Sequence, residues 1–268
     1  MTIRSAGFIG TGYMGSAIAK AVRAGNSELP ILLANRHPEK AEALSALLPG
    51  SRVCLGADVA READLIFLGV KPYQAERVLG ELRSVLKKRK TPFILVSMIS
   101  GLTCETIRTL AGGDYPVIRM MPNTPAAIGE GVIQYCSLGA AEEDVTAFAA
   151  LLGKAGLVDP LEEGLIDAAS ALSGCGPAFT YMYMEALADG AVACGMPRDK
   201  AYRYAAQMVR GSAAMLLQEQ GHPGELKDAV CSPGGTTIQG VRVLESSGFR
   251  AAAMNAVIAA FNKTVEGK

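Results

Sequence analysis

Along the first 160 residues, short mainly apolar runs alternate with longer stretches in which apolar positions recur every three or four residues. The runs at residues 6–9, 30–34, 52–55, 65–70, 93–97 and 117–121 predict strands, and weaker candidates lie at 132–135 and 157–158. Residues 65–70 are apolar throughout, as a strand covered on both faces must be. Helices are expected at 16–24, in the segment carrying Lys40, at 73–88 with Val78, Leu82 and Val85 on one face, at 103–111 and at 141–154. Strands that alternate with helices predict a parallel sheet layered by helices, and this half reads as a Rossmann-type α/β domain over residues 1–160.

Beyond Pro160 the strand signals stop, and residues 161–268 read as an all-helical second domain. Helices are expected at 161–172, 178–194, 198–220, around Leu226, at 236–246 and at 249–266. The first is broken by Ser173-Gly174-Cys175-Gly176-Pro177, and the second is stopped by Gly195. The helix over 178–194 carries only Glu185 and Asp189 as charges, so it needs burial on nearly every side. One layer of helices cannot supply that, and a second copy of the chain is expected to cover it.

Composition narrows the class. Half of the residues are hydrophobic while only 6% are aromatic and Trp is absent, so the core is aliphatic. A net charge of zero excludes the basic footprint of a nucleic-acid binder. The run Lys87-Lys88-Arg89-Lys90 is the solvated end of a helix, where positive charge is favourable. No apolar stretch is long enough for a membrane span and no leader precedes the first strand, so a cytoplasmic protein is expected. Six scattered cysteines without a C-x-x-C pair read as reduced thiols, and two histidines are too few for a His-rich metal site.

The first strand, ending at Ile9, runs into Gly10-Thr11-Gly12-Tyr13-Met14-Gly15 and then a helix, the strand–turn–helix context that G-x-G-x-x-G requires for a dinucleotide. Gly10 makes the tight turn, Gly12 admits the pyrophosphate and Gly15 lets helix and strand pack. After the second strand, where NAD binders carry an acid for the ribose, this chain has Asn35 and Arg36. Asn can hydrogen-bond the ribose and Arg can fork onto a 2′-phosphate, so NADPH is favoured, with NADH possible. Ligands of such a sheet lie at the carboxyl ends of the strands, which adds Val70, Lys71, Pro72, Ser97, Met98 and Asn123 to one cleft.

A second glycine turn comes late, at Ser232-Pro233-Gly234-Gly235, just before a helix expected to begin at Thr236. Bare backbone and a helix N-terminus make an anion site, with N–H groups of Gly234, Gly235 and Thr236 converging on a small carboxylate. Thr236 and Thr237 add hydroxyls.

Taken together, Phe8–Gly15, Leu172-Ser-Gly-Cys-Gly-Pro-Ala178 and Val230-Cys-Ser-Pro-Gly-Gly-Thr-Thr-Ile238 resemble the pyrroline-5-carboxylate reductases, and Gly69-Val-Lys-Pro72 and Met121-Pro-Asn-Thr-Pro125 match the same family in order. The resemblance covers essentially the whole chain. It implies hydride transfer from NAD(P)H to the C=N of 1-pyrroline-5-carboxylate, giving L-proline, and homodimers built through intertwined helical domains, often in larger rings. It assigns Ser232, Gly234, Gly235, Thr236 and Thr237 to the substrate, with the Thr237 hydroxyl near the ring nitrogen as the catalytic group. Lys71 is the rival acid, although the family's Val-Lys-Pro points to the cofactor. The chain departs from the family where many relatives have Ser at Cys175, Asn near Ala57-Asp58 and Asn at Ala229. An Asp near the ribose would repel a 2′-phosphate. The alternatives are a related imine or β-hydroxyacid oxidoreductase and a non-catalytic NADP sensor. The β-hydroxyacid dehydrogenases need a Lys and an Asn on the helix after Ser173, and neither is there.

Overall fold

The computed structural model describes residues 1–219 and 221–266. Two compact units divide it: Met1–Cys175 with Ala260–Lys268, and Gly176–Ala259. The first unit carries β1 (Ala6–Ile9), α1 (Tyr13–Gly25), β2 (Ile31–Ala34), α2 (Pro38–Ala46), β3 (Ser51–Val53), α3 (Gly56–Glu62), β4 (Leu65–Leu68) and α4 (Ala75–Lys88). It continues with β5 (Ile94–Ser97), α5 (Cys104–Ala111), β6 (Val117–Pro122), β7 (Gly131–Leu138), α6 (Glu142–Leu152), β8 (Gly156–Pro160) and α7 (Ile166–Ser173).

The strands form one sheet in the order β3-β2-β1-β4-β5-β6-β7-β8. All neighbours are parallel except β6 and β7. The exception has a simple cause: residues 123–130 are too few for a crossover helix, so the chain can only turn back antiparallel. The strand order reverses between β1 and β4, and the carboxyl ends there open the crevice where α/β sheets bind ligands.

Strand period explains the two cores. On β4, Leu65 and Phe67 join Phe8, Ile18, Val22 and Phe148 on one face, where Phe8 and Phe67 stack with ring centroids 4.5 Å apart. Ile66 and Leu68 point the other way, into a core with Val59, Leu79, Leu82 and Ile107. Helix α3 was not foreseen from its short, Gly- and Asp-containing sequence. Packing makes it: a Cβ on Gly7 would lie 2.4 Å from Val59 Cγ1, so only bare backbone on β1 lets α3 sit so close.

Arg119 on β6 is 1% exposed, and its guanidinium donates to Asp167 at 2.6 Å and lies 3.6 Å from Glu163. Removing one partner of a buried ion pair strands the other charge. Asp167→Ala should therefore lower the stability of unfolding by about 3 kcal/mol, and adding Arg119→Met should restore part of it. A loss under about 1 kcal/mol in chemical denaturation would mean that Arg119 is solvated by other means.

The second unit contains α8 (Gly176–Ala193), α9 (Arg198–Glu219), α10 (Pro223–Ala229), α11 (Thr236–Ser246) and the greater part of α12 (Phe249–Glu266). Gln220, expected as the last residue of the long helix, lies outside the described residues. Few of the unit's side chains are buried; Ala188, Ala201 and Ala205 are, while Tyr181, Met182, Tyr204, Met215, Leu217, Met254 and Ile258 are exposed.

Candidate active site

Three glycines at the end of β1 have different reasons to be glycine. Gly10 has φ +102°, and a Cβ there would meet the Gly69 carbonyl oxygen at 2.4 Å. A Cβ on Gly15 would meet the Gly10 carbonyl oxygen at 2.1 Å. These two are needed for the turn to close against β4. Gly12 differs, because a Cβ there would meet none of the described residues within 4 Å. The fold does not require its bare backbone, but a ligand lying across it would. Gly12 also caps α1 without any side-chain bond, and no acid stands in the first turn, so the orphan N–H groups and positive helix end are open to an anion.

The space above is a cleft of about 1340 Å³, lined by Ile9, Gly10, Gly12, Tyr13, Met14 and Gly15 on one side and by Val70, Lys71 and Pro72 on another. Asn35, Arg36, Lys40, Arg52 and Asp58 line its far end. Among the described residues the side chains of Arg36, Lys40 and Lys71 make no ion pair, whereas Arg52 is held by Glu62 at 2.5 Å and Arg77 by Glu81 at 2.7 Å. Three uncommitted cations along one cleft suit a dinucleotide's phosphates. Asp58 is the opposing charge, but Arg61 bonds one oxygen at 2.5 Å and the Leu55 N–H donates to the other at 3.2 Å. The Arg61 bond, then that N–H, holds its carboxyl below the usual range. Its charge is thus largely answered within α3, which reduces the repulsion expected for a 2′-phosphate. Burial raises the Cys54 thiol, which lines the same end, so it stays protonated at neutral pH.

Two expected cofactor residues have other work. The Asn35 amide oxygen accepts from Thr11 N–H at 3.1 Å and its nitrogen donates to His37 O at 3.0 Å, so the side chain ties the glycine turn to β2. Asn123 is 7% exposed; its nitrogen donates to Ser173 O at 3.0 Å and its oxygen accepts from Val132 N–H at 2.9 Å. It does not line the cleft. Thr11 is buried, 3% exposed, with a hydroxyl that has no hydrogen-bond partner among the described residues.

In the helical unit a turn leads into α11, which begins at Thr236 as expected. Gly234 has φ +69° and Gly235 caps α11, where a Cβ would strike Ser232 Oγ at 2.3 Å. The Gly235 N–H, expected to face an anion, instead donates to Ser232 O at 3.0 Å and closes the turn. The orphan donors are those of Thr236, Thr237 and Ile238, again with no side-chain cap and no acid in the first turn. Thr236 and Thr237 are exposed, and their hydroxyls make no hydrogen bond among the described residues.

Comparison with known proteins follows the same division. A family model described as "Pyrroline-5-carboxylate reductase dimerisation" matches residues 163–267, and one described as "NADP oxidoreductase coenzyme F420-dependent" matches residues 5–101. The chain is 43% identical to the pyrroline-5-carboxylate reductase of Glycine max, covering 97% of this chain and 94% of that protein. It is 40% identical to that of Escherichia coli, with 96% of each covered. A solved structure of the Plasmodium falciparum pyrroline carboxylate reductase with NADP bound superposes with a TM-score of 0.87 at 29% identity, covering 99% of both chains. The chain belongs to the pyrroline-5-carboxylate reductase family.

Membership makes it an NAD(P)H-dependent oxidoreductase and explains the exposed apolar helices: residues 163–267 are the family's dimerisation region, so the chain assembles with copies of itself. No helix among the described residues is long and apolar enough to cross a membrane. The Ser173 hydroxyl of the Ser-Gly-Cys-Gly-Pro segment donates to Ala169 O at 2.9 Å and meets the Gln134 amide at 3.0 Å. Gln134, 3% exposed on β7, and Asn123 thus brace the segment in which the family resemblance lies, and neither brace was visible in the sequence because the partners are 39 and 50 residues apart. Cys175 is exposed.

Proposed function

We propose that this reductase uses NADPH in preference to NADH and holds its substrate on the turn before α11. The family reaction, reduction of the C=N of 1-pyrroline-5-carboxylate to L-proline at the end of proline biosynthesis, is its activity. When bound, the reduced nicotinamide supplies the hydride. The chain's own residues do the rest. Gly12 and the α1 N-terminus receive the pyrophosphate, flanked by Ile9, Gly10, Thr11, Tyr13, Met14 and Gly15. Arg36, with Lys40 beside it, takes the 2′-phosphate, and Val70, Lys71 and Pro72 border the same cleft. Asn35 holds the turn in shape, and Asn123 acts behind the cleft through its bonds to Ser173 and Val132.

The substrate offers one carboxylate and one imine that protonates near neutral pH, so no strong acid is needed. The N–H groups of Thr236, Thr237 and Ile238 grip the carboxylate, on a turn that Ser232, Gly234 and Gly235 shape. The Thr237 hydroxyl orients the ring nitrogen and relays its proton. Orientation and exclusion of water are then the protein's main contributions. Lys71, in the dinucleotide cleft, binds cofactor rather than donating the proton. The enzyme works in the cytoplasm, which six free thiols support, and its activity is expected in the soluble cell fraction.

The observation that carries the cofactor reading is the open backbone of Gly12 in a cleft that Arg36, Lys40 and Lys71 line without an ion pair among the described residues. Arg36→Glu should raise the KM for NADPH by roughly 30-fold, about 2 kcal/mol, while changing that for NADH less than about threefold. Initial rates followed through nicotinamide absorbance with 1-pyrroline-5-carboxylate measure both. Equal effects on the two cofactors would remove the 2′-phosphate from Arg36.

A further inference from the structure

Away from the dinucleotide cleft, three donor groups that are remote in sequence meet in the first unit. Cys104 opens α5, Cys136 stands on β7 opposite Arg119, and Glu163 lies just before α7. The two Sγ atoms are 3.9 Å apart, and one ligand atom from each of the three residues lies within 4.8 Å of the others. Two thiolates on one tetrahedral metal, with bonds of about 2.3 Å, stand about 3.8 Å apart, so the sulfurs already have the spacing of a shared ion. Glu163 is fixed from behind: its Oε1 accepts from the Cys104 N–H at 2.7 Å and lies 3.6 Å from the Arg119 guanidinium. Its Oε2 makes no hydrogen bond among the described residues. Cys104 is buried while Cys136 and Glu163 are partly exposed, so two of the three groups are reached by solvent.

We propose that Cys104, Cys136 and Glu163 form a binding site for a thiophilic divalent cation of the zinc class, clamping α5, β7 and the approach to α7. Binding forms two metal–sulfur bonds and one metal–oxygen bond, and each thiol gives its proton to solvent. Two thiolates and a carboxylate around a divalent ion leave one net negative charge, and Arg119 faces it while remaining paired with Asp167. Two sulfur donors favour a soft or borderline cation over calcium or magnesium. The site takes no part in hydride transfer; it ties α5 and β7 to the segment that leads into α7.

Cadmium chloride is the probe, titrated into the reduced, metal-stripped full chain without oxygen, using the ultraviolet thiolate-to-cadmium charge-transfer band. One equivalent per chain should bind. Cys136→Ser should weaken binding by about a hundredfold and Glu163→Gln by at least about tenfold, each judged folded by an unchanged circular dichroism spectrum. Cys175→Ser should bind as the parent chain does. Zinc should raise the melting temperature of the parent chain and not of Cys136→Ser. Equal cadmium affinity in the parent chain and either ligand variant would overturn the site, as would a Cys104–Cys136 disulfide in protein purified without added oxidant.

Discussion

Gly12→Ala is expected to leave a folded enzyme that no longer holds its cofactor. The added Cβ meets none of the described residues within 4 Å, and Gly12 has extended backbone at φ −69° that any residue adopts. Stability should therefore change by no more than about 1 kcal/mol, the cost of a poorer helix cap. The methyl group would occupy the approach of a pyrophosphate to the α1 N–H groups, and a rise in the NADPH dissociation constant of at least about 100-fold is expected. Gly15→Ala makes the contrast. Its Cβ would meet the Gly10 carbonyl oxygen at 2.1 Å, so backbone must move and the melting temperature should fall with the affinity. Calorimetry and cofactor titration separate the two. Tight NADPH binding by Gly12→Ala would take the pyrophosphate away from this turn.

Thr237→Ala should lower kcat by about 100-fold while leaving the NADPH dissociation constant within about twofold of the parent value. The Thr237 side chain is exposed and makes no hydrogen bond among the described residues, so little stability should be lost with it. Thr237→Ser, which keeps the hydroxyl, should recover most of the rate. Unchanged turnover in Thr237→Ala would give the proton relay to another group. A matching fall in turnover and cofactor affinity would make the hydroxyl structural.

The centre of the sheet was legible because β1, β2 and β4 are unbroken apolar runs, and a doubly covered strand leaves few alternatives for such a run. The glycine turns were legible for a similar reason, since positive φ at Gly10 and Gly234 restricts the residue type. What stayed hidden depends on partners far along the chain. Helix α3 exists through its packing on Gly7, and β7 runs on to Leu138 through its ladder with β6. Asn35 and Asn123 have the right chemistry for a ribose, but bonds to Thr11, His37, Ser173 and Val132 already engage them. The Gly235 N–H likewise could not be assigned from sequence, because its bond to Ser232 O is set by the conformation of the turn. Cys104 and Cys136 read as unrelated thiols until the sheet brought them together, a position of the cluster no local spacing encodes.

The most direct measurement is a crystal structure of the assembled enzyme with NADP+ and L-proline bound. The proline carboxylate should lie on the backbone amides that open α11, in the same or a neighbouring subunit, with the Thr237 hydroxyl at the ring nitrogen and the ring stacked on the nicotinamide. Proline bound elsewhere, with the 232–237 segment remote from the nicotinamide, would contradict that placement.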